Sequence, residues 1–311
     1  MNDSLSATPV ANRLTTVSGR ADETAGMLLG VVGVAIFSLT LPFTRLAVAG
    51  LDPLFVTMGR AVVAALLAGA WLWWRRAPLP GRAALPGLAI VAAGCVIGFP
   101  LLTSFAMRSL PASHGAVLVG ILPLATALFA ALRGHERPSA GFWLTALAGS
   151  ALVVGFALSQ SGGTLHVADV LVLGAVLAAA MGYAEGGRLA QSLGGQQVIS
   201  WALLLSLPVA LPLTAWDVWR HGADLAAASP AAWGGFAYTC VFSMFVGFIF
   251  WYGGMAKGGV ARVGQVQLLQ PFLTLLGAAA VLGEPLQTAH MLFALAVIAT
   301  VALGRRMAVR R

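Results

Sequence analysis

Ten apolar stretches follow one another along the 311 residues, at about 25–48, 52–74, 83–107, 113–132, 140–158, 167–188, 196–216, 231–254, 260–282 and 286–304. Each has roughly the ~20 residues that an α-helix needs to cross a hydrocarbon core of ~30 Å. The connections are short, the longest running from Asp217 to Pro230, so no extramembrane domain fits between them. The runs are continuous rather than alternating, which argues against a membrane β-barrel. Composition closes the remaining exits. Charged residues make up 9%, against roughly 25% in soluble domains, and mean hydropathy is +0.90. That is too little charge to solvate a soluble surface and too much apolar content for disorder. The expected fold class is an all-α polytopic membrane protein of ten transmembrane helices.

The basic residues set the orientation. With the N-terminus inside, all 18 Lys and Arg fall on the cytoplasmic side except Arg108 and Arg220 outside and Arg45 and Arg60 within segments. The positive-inside rule then places both termini in the cytoplasm. The net charge of +8 is accounted for by this asymmetry and calls for no nucleic-acid partner. Residues 1–24 read as a disordered cytoplasmic tail without a cleavable signal peptide, and 305–311 as a basic cytoplasmic tail. The bias toward Arg, Ala and Gly suggests a bacterial source, hence the bacterial inner (plasma) membrane.

The chain repeats itself. Pro123 in ILPLATALFAALRGHERP corresponds to Pro271 in LLQPFLTLLGAAAVLGEP, and the spacing to the next carboxylate, Glu136 or Glu284, is the same. TRLA in the first segment matches GRLA in the sixth, pairing Arg45 with Arg188. IGF and VGF pair the third and eighth, followed by Arg108 and Lys257. The halves are residues 25–158 and 167–304, joined by an external linker at 159–166. Five crossings each is an odd number, so the halves must be inverted relative to one another. Inverted repeats are the architecture of alternating-access transporters, whose substrate site lies between the halves.

A half ending in P-L-x-T-A-L-F-x-A-L-x-x-x-E-R, followed by a Gly-containing apolar helix, resembles the EamA module of the drug/metabolite transporter superfamily. Two such modules with ten helices are that family's layout, and the likeness spans nearly the whole chain. It implies carriage of small metabolites, and the overall layout resembles the YddG-type amino-acid exporters. Family members often carry Trp in the first and sixth helices, where this chain has Phe37 and Ala180; Tyr183 stands where the sixth-helix tyrosine is common.

Several side chains are candidates for a substrate cavity: Phe37, Ser38, Arg60, Phe99, Thr103, Tyr183, Tyr238, Phe242, Gln267 and Gln270. Gln267 and Gln270 are three apart on one helical face with Gly264 and Pro271. Arg60 lies eight residues beyond Asp52, ~12 Å into the membrane at 1.5 Å per residue. It either meets a substrate carboxylate or snorkels to the headgroups. Pro42, Pro100, Pro123 and Pro271 interrupt segments, as hinges or as static bends. Trp251 and Tyr252 read as an interfacial belt, with Trp71, Trp73 and Trp74. Glu185 reads as an i,i+3 partner of Arg188. With so few intramembrane carboxylates, the cavity suits neutral or zwitterionic solutes, and facilitated diffusion or exchange suits the chain better than a proton pump.

Chemistry finds no foothold. The histidines, His114, His135, His166, His221 and His290, lie at segment ends or in loops, and Cys95 and Cys240 read as buried thiols. No HExxH, Walker A or GxSxG motif is present. No catalytic residue, metal or cofactor is expected; the partners are a small-molecule substrate and the lipid bilayer, and one chain carries both repeats. The expectation is export of small metabolites, amino acids first (aromatic or apolar ones included). The alternatives are another solute, such as a drug or nucleotide-related metabolite, and a polytopic membrane enzyme.

Overall fold

The computed structural model describes residues 10–133, 137–160, 166–259, 263–306 and 309–310. Among them, eight helices are long and apolar enough to cross a membrane, and two shorter apolar helices, Val266–Leu282 and Thr288–Leu303, complete the expected series. The chain runs through α1 (Val10–Ser38), α2 (Thr40–Val48), α3 (Pro53–Trp74) and α4 (Leu85–Val91), then α5 (Phe99–Ala106), α6 (Ala112–Val119), α7 (Leu122–Arg133) and α8 (Ala140–Gln160). The second half supplies α9 (Val167–Leu193), α10 (Gly195–Ala227), α11 (Pro230–Tyr238), α12 (Gly247–Gly258), α13 (Gln270–Leu282) and α14 (Thr288–Arg306). A two-residue antiparallel pairing joins Arg137–Pro138 to Val309–Arg310.

Local chemistry fixes the helix ends. The Asp52 carboxylate accepts the Leu54 N–H at 2.7 Å with Pro53 following, and the Ser229 hydroxyl accepts from Ala232 ahead of α11. Both satisfy amide donors that a helix start leaves open. Gly194, at φ 82°, turns the chain from α9 into α10 in a single residue, and Gly283, at φ 67°, ends α13 in the left-handed conformation.

Two sequence expectations are corrected. The helix reaches back to Val10 through much of the stretch read as a tail; residues 1–9 lie outside the described set. A helix satisfies its own backbone and can project from the membrane as readily as lie within it. The connection read from Asp217 to Pro230 is helical as far as Ala227, bent at His221. Asp217 is buried there and takes an i,i+4 bond from His221 at 3.2 Å, which holds the polar turn in helical form.

The spans nearest the centre are interrupted. The first breaks at Leu39 ahead of Pro42. The third widens into a π-helix at Ala92–Gly98 just before Pro100, and the eighth does the same at Thr239–Val246. The fourth breaks between Val119 and Leu122 ahead of Pro123. The ninth tightens into a 3₁₀ turn at Gly264–Leu269 ahead of Pro271. Third matches eighth and fourth matches ninth, as the repeat requires. The first and sixth differ: α9 runs unbroken, because Glu185 stands where the repeat would align Pro42.

The halves interlock. α1 lies along α12, α3 along α10, α5 and α7 along α9, α2 against α11, α6 against α13 and α8 against α14; each pair joins one half to the other. The crossing of α1 and α12 is lined by glycine: a Cβ on Gly254 would stand 2.8 Å from the Gly26 carbonyl oxygen and 3.0 Å from the Gly30 nitrogen. Small residues let two backbones approach where lipid supplies no hydrophobic drive between helices. Gly253, one residue away, faces open space. Gly254→Ala should therefore lower stability by about 1–3 kcal/mol through overpacking, whereas Gly253→Ala should be neutral or slightly stabilising. Thermal unfolding of the two variants in one detergent checks this; equal midpoints would refute the crossing.

Candidate functional site

The interruptions surround a cavity at the junction of the halves. The first half contributes Phe37, Thr40, Leu41, Arg60, Cys95, Phe99 and Val119; the second contributes Ala179, Tyr183, Ser243, Phe248 and Gln270. Its free volume is only about 20 Å³, room for about one water, so the structure is closed around it.

Each interruption turns something inward. Proline and π-turns free carbonyls that, at membrane depth, must find partners inside the protein. At the first break, the Ile36 carbonyl loses its helical partner. It takes a tight-turn bond from the Leu39 N–H at 3.3 Å and a second from the Tyr238 hydroxyl at 2.9 Å. The break presents Thr40, whose hydroxyl lies 2.8 Å from that of Ser243 on the other half. Ser243 in turn accepts from Arg60 Nη2 at 3.2 Å. A hydrogen-bonded line, Thr40–Ser243–Arg60, thus crosses between the repeats. Arg60 is 2% exposed: it is fully withdrawn into the protein and does not snorkel.

Aromatic rings form the rest of the wall. Phe37 meets Phe248 edge-on at 4.9 Å and stacks with Tyr183 at 6.3 Å; Tyr183 meets Trp251 at 5.6 Å. The interfacial belt expected for Trp251 and Tyr252 is overturned, since both are fully buried. α12 packs against α1, α9 and α10, and Trp251 and Tyr252 lie on its packed side, while Gly253 stands on the open one. The Tyr252 hydroxyl donates to the Gly182 carbonyl at 3.1 Å. Trp73 and Trp74 are largely exposed, as a belt requires.

The sequence-nominated cavity residues divide. Phe37, Arg60, Phe99, Tyr183 and Gln270 come together around the cavity. Ser38 bonds back to the Val34 carbonyl at 2.7 Å and Thr103 to that of Phe99 at 2.7 Å, so both spend their hydroxyls within their own helices. Tyr238 stacks on Phe43 at 4.1 Å and braces the first break. Phe242 is 48% exposed and stacks on Tyr238, outside the cavity. Gln267 is buried beyond the cavity wall, with neither amide atom partnered among the described residues. The side chain of Gln265 lies outside the described set. Cys95 and Cys240 are free and buried, and Cys95 lines the cavity.

Carboxylates of the second half clasp both ends of the first. At the end that the arginine distribution assigns to the outside, Glu284 receives the N–H groups of Ala112 and Ser113, each at 2.8 Å, at the start of α6. Arg45 lies 3.5 Å from the same carboxylate and donates to the carbonyls of Met107 and Leu110. Beside them, buried Asp169 meets His114 at 2.7 Å. At the other end Glu185 pairs with Arg188, as expected, and also with Arg133 of α7 at 3.0 Å. Sequence reasoning missed the Arg133 and Glu284 pairings, since both span distant parts of the chain. The repeat partner of Glu284, Glu136, lies outside the described residues. Among the described residues no cluster of His, Cys, Asp or Glu could hold a metal ion.

The EamA-like transporter family model matches residues 24–158 and again 166–304, one copy per half. The chain belongs to the EamA-like transporter family. It is 49% identical over 288 residues to a Bacillus subtilis (strain 168) protein named uncharacterized transporter YdeK; the match covers 92% of this chain and 98% of that one. A solved crystal structure superposes with a TM-score of 0.60 at 16% identity, covering 90% of this chain and 96% of the other, a likeness of fold alone. The chain is therefore a multi-pass membrane transporter. Tyr238→Phe, which keeps the ring stack but removes the shorter of the two bonds to the Ile36 carbonyl, should cost about 1 kcal/mol. A thermal midpoint indistinguishable from the unsubstituted protein would show that the first break needs no such brace.

Proposed function

We propose that this transporter exports small amphipathic metabolites from the cytoplasm, amino acids first and aromatic or apolar ones among them, in the manner of a YddG-type exporter of the bacterial inner membrane. The observation that carries the reading is the closed cavity between the repeats, which sets one buried arginine against a wall of aromatic rings. A carboxylate matches a guanidinium in charge and in hydrogen-bond geometry, and an apolar body matches Phe37, Phe99, Tyr183 and Phe248. The Gln270 amide supplies a neutral donor and acceptor beside them.

Movement follows alternating access. The two ends are tied by polar bonds that can exchange with water, rather than by sealed apolar packing. Opening the outer end breaks Glu284 away from α6 and Arg45; opening the inner end breaks Glu185 away from Arg133. The irregular turns next to Pro42, Pro100, Pro123 and Pro271 are the points at which the helices bend.

Two measurements test this. In liposomes holding the pure protein, radiolabelled amino acids should show counterflow, and Gln270→Ala should reduce it about tenfold, the loss of one hydrogen bond to a charged group, at unchanged thermal stability. If no amino acid moves or exchanges, the substrate assignment is lost. In intact cells, with Cys240 replaced by Ala, a membrane-impermeant maleimide should label Cys95 faster in Glu284→Gln and slower in Glu185→Gln. Shifts in the same direction in both variants would refute opposite clasps.

A further inference from the structure

The central cavity contains one charge and no opposite charge. Arg60 Nη2 donates to Ser243, but Nε and Nη1 have no partner among the described residues, although the whole side chain is buried. The carboxylates buried nearest the membrane interior are committed elsewhere: Asp169 to His114, Glu185 to Arg133 and Arg188, Asp217 to His221, Glu284 to Arg45 and α6. Among the described residues, no acidic one lines the cavity. Arginine does not surrender its proton, and an uncompensated charge at membrane depth is destabilising and marks function. A water molecule can accept from Nε and Nη1, yet it leaves the charge uncompensated.

The surroundings are set up for an anion. Thr40 and Ser243 share one hydrogen bond, so whichever hydroxyl accepts in it keeps its own hydrogen to turn toward an anion, and the Gln270 amide lines the same space. The free space of about 20 Å³ admits a particle the size of a water or a halide and nothing larger while the cavity stays closed.

We propose that Arg60 is the seat of a monovalent-anion site in the closed cavity. A single halide-sized inorganic anion, chloride being the probe of choice, occupies it when no cargo is bound. The carboxylate of a cargo molecule takes the same N–H groups when the cavity opens to admit one. The halide part stands on the cavity geometry alone; the carboxylate part rests on the transport reading above. The two anions then compete, and the cargo-free carrier closes over an inorganic anion instead of a bare guanidinium. Chloride becomes a counter-ligand of transport: it should be required for return of the empty carrier and inhibitory when it competes with cargo on the same side.

The test is equilibrium binding of radiochloride to the full chain in lipid nanodiscs, with gluconate as the bulky inert anion. One saturable site per chain is expected. Arg60→Gln should weaken it about tenfold or more, the loss of a charged hydrogen-bond donor. Ser243→Ala, a small change that preserves packing, should weaken it severalfold and keeps the test open if Arg60→Gln does not fold. Benzoate and phenylalanine are then added as competitors. Displacement by both assigns one site to inorganic anion and cargo carboxylate alike. Displacement by benzoate alone upholds the anion site and removes amino acids as cargo. If chloride does not bind, the halide site is overturned, and Arg60-dependent stabilisation by benzoate then leaves the guanidinium to the cargo carboxylate alone. Absence of any saturable anion effect, or binding unchanged in Arg60→Gln and Ser243→Ala, overturns the proposal.

Discussion

Hydrocarbon offers a peptide group nothing to bond to, so each backbone carbonyl in this chain must find its partner within the protein. Everything else about the molecule works around that requirement. Regular helices meet it automatically, and α3 and α9 run long and unbroken. The spans around the cavity do not, and their breaks persist only where another part of the chain closes the account. The Ile36 carbonyl is covered by Leu39 and Tyr238, and the Pro100 carbonyl by Thr57 and Thr103. Of these, Tyr238 and Thr57 reach across from another helix, so relieving the backbone also draws helices together around the cavity.

The same low-dielectric setting sorts the charges. Carboxylates sit at the helix ends, where Glu284 and Glu185 each hold basic or amide groups of the opposite half. Those bonds are strong enough to close an end and polar enough to be released to water. Arg60 is the exception: a cation taken to the centre, held by Ser243 from the other repeat, and left with donors to spare. The two polar ends and the one unmatched cation are what the proposed carriage of a negative or zwitterionic solute rests on.

Much of this was legible in the sequence. Ten runs of the right length, the one-sided arginines and the shared proline-to-carboxylate spacing establish the class, the count and the repeat. Phe37, Arg60, Phe99, Tyr183 and Gln270 were recognisable because a polar or aromatic residue in an apolar run is unusual. Ser243 and Cys95 were harder to place. Both lie in π-turns, where an extra residue shifts the phase of the helix, so a 3.6-residue period does not set them against the cavity. Trp251 and Tyr252 misled for another reason: aromatic residues near a span's end signal an interface only if they lie on its lipid side, and these two lie on the side of α12 packed against its neighbours.

The sequence alone determined that this chain spans a membrane ten times as two inverted halves, because span length and charge placement answer to the bilayer and not to neighbouring helices. Only the tertiary structure decided which polar groups meet. The line from Thr40 through Ser243 to Arg60, the grip of Glu284 on α6 and that of Glu185 on Arg133 join residues far apart in the chain. Their pairing depends on how closely glycine-lined helices cross and on where a span breaks, and nothing in a residue's own neighbourhood encodes its partner on the other half.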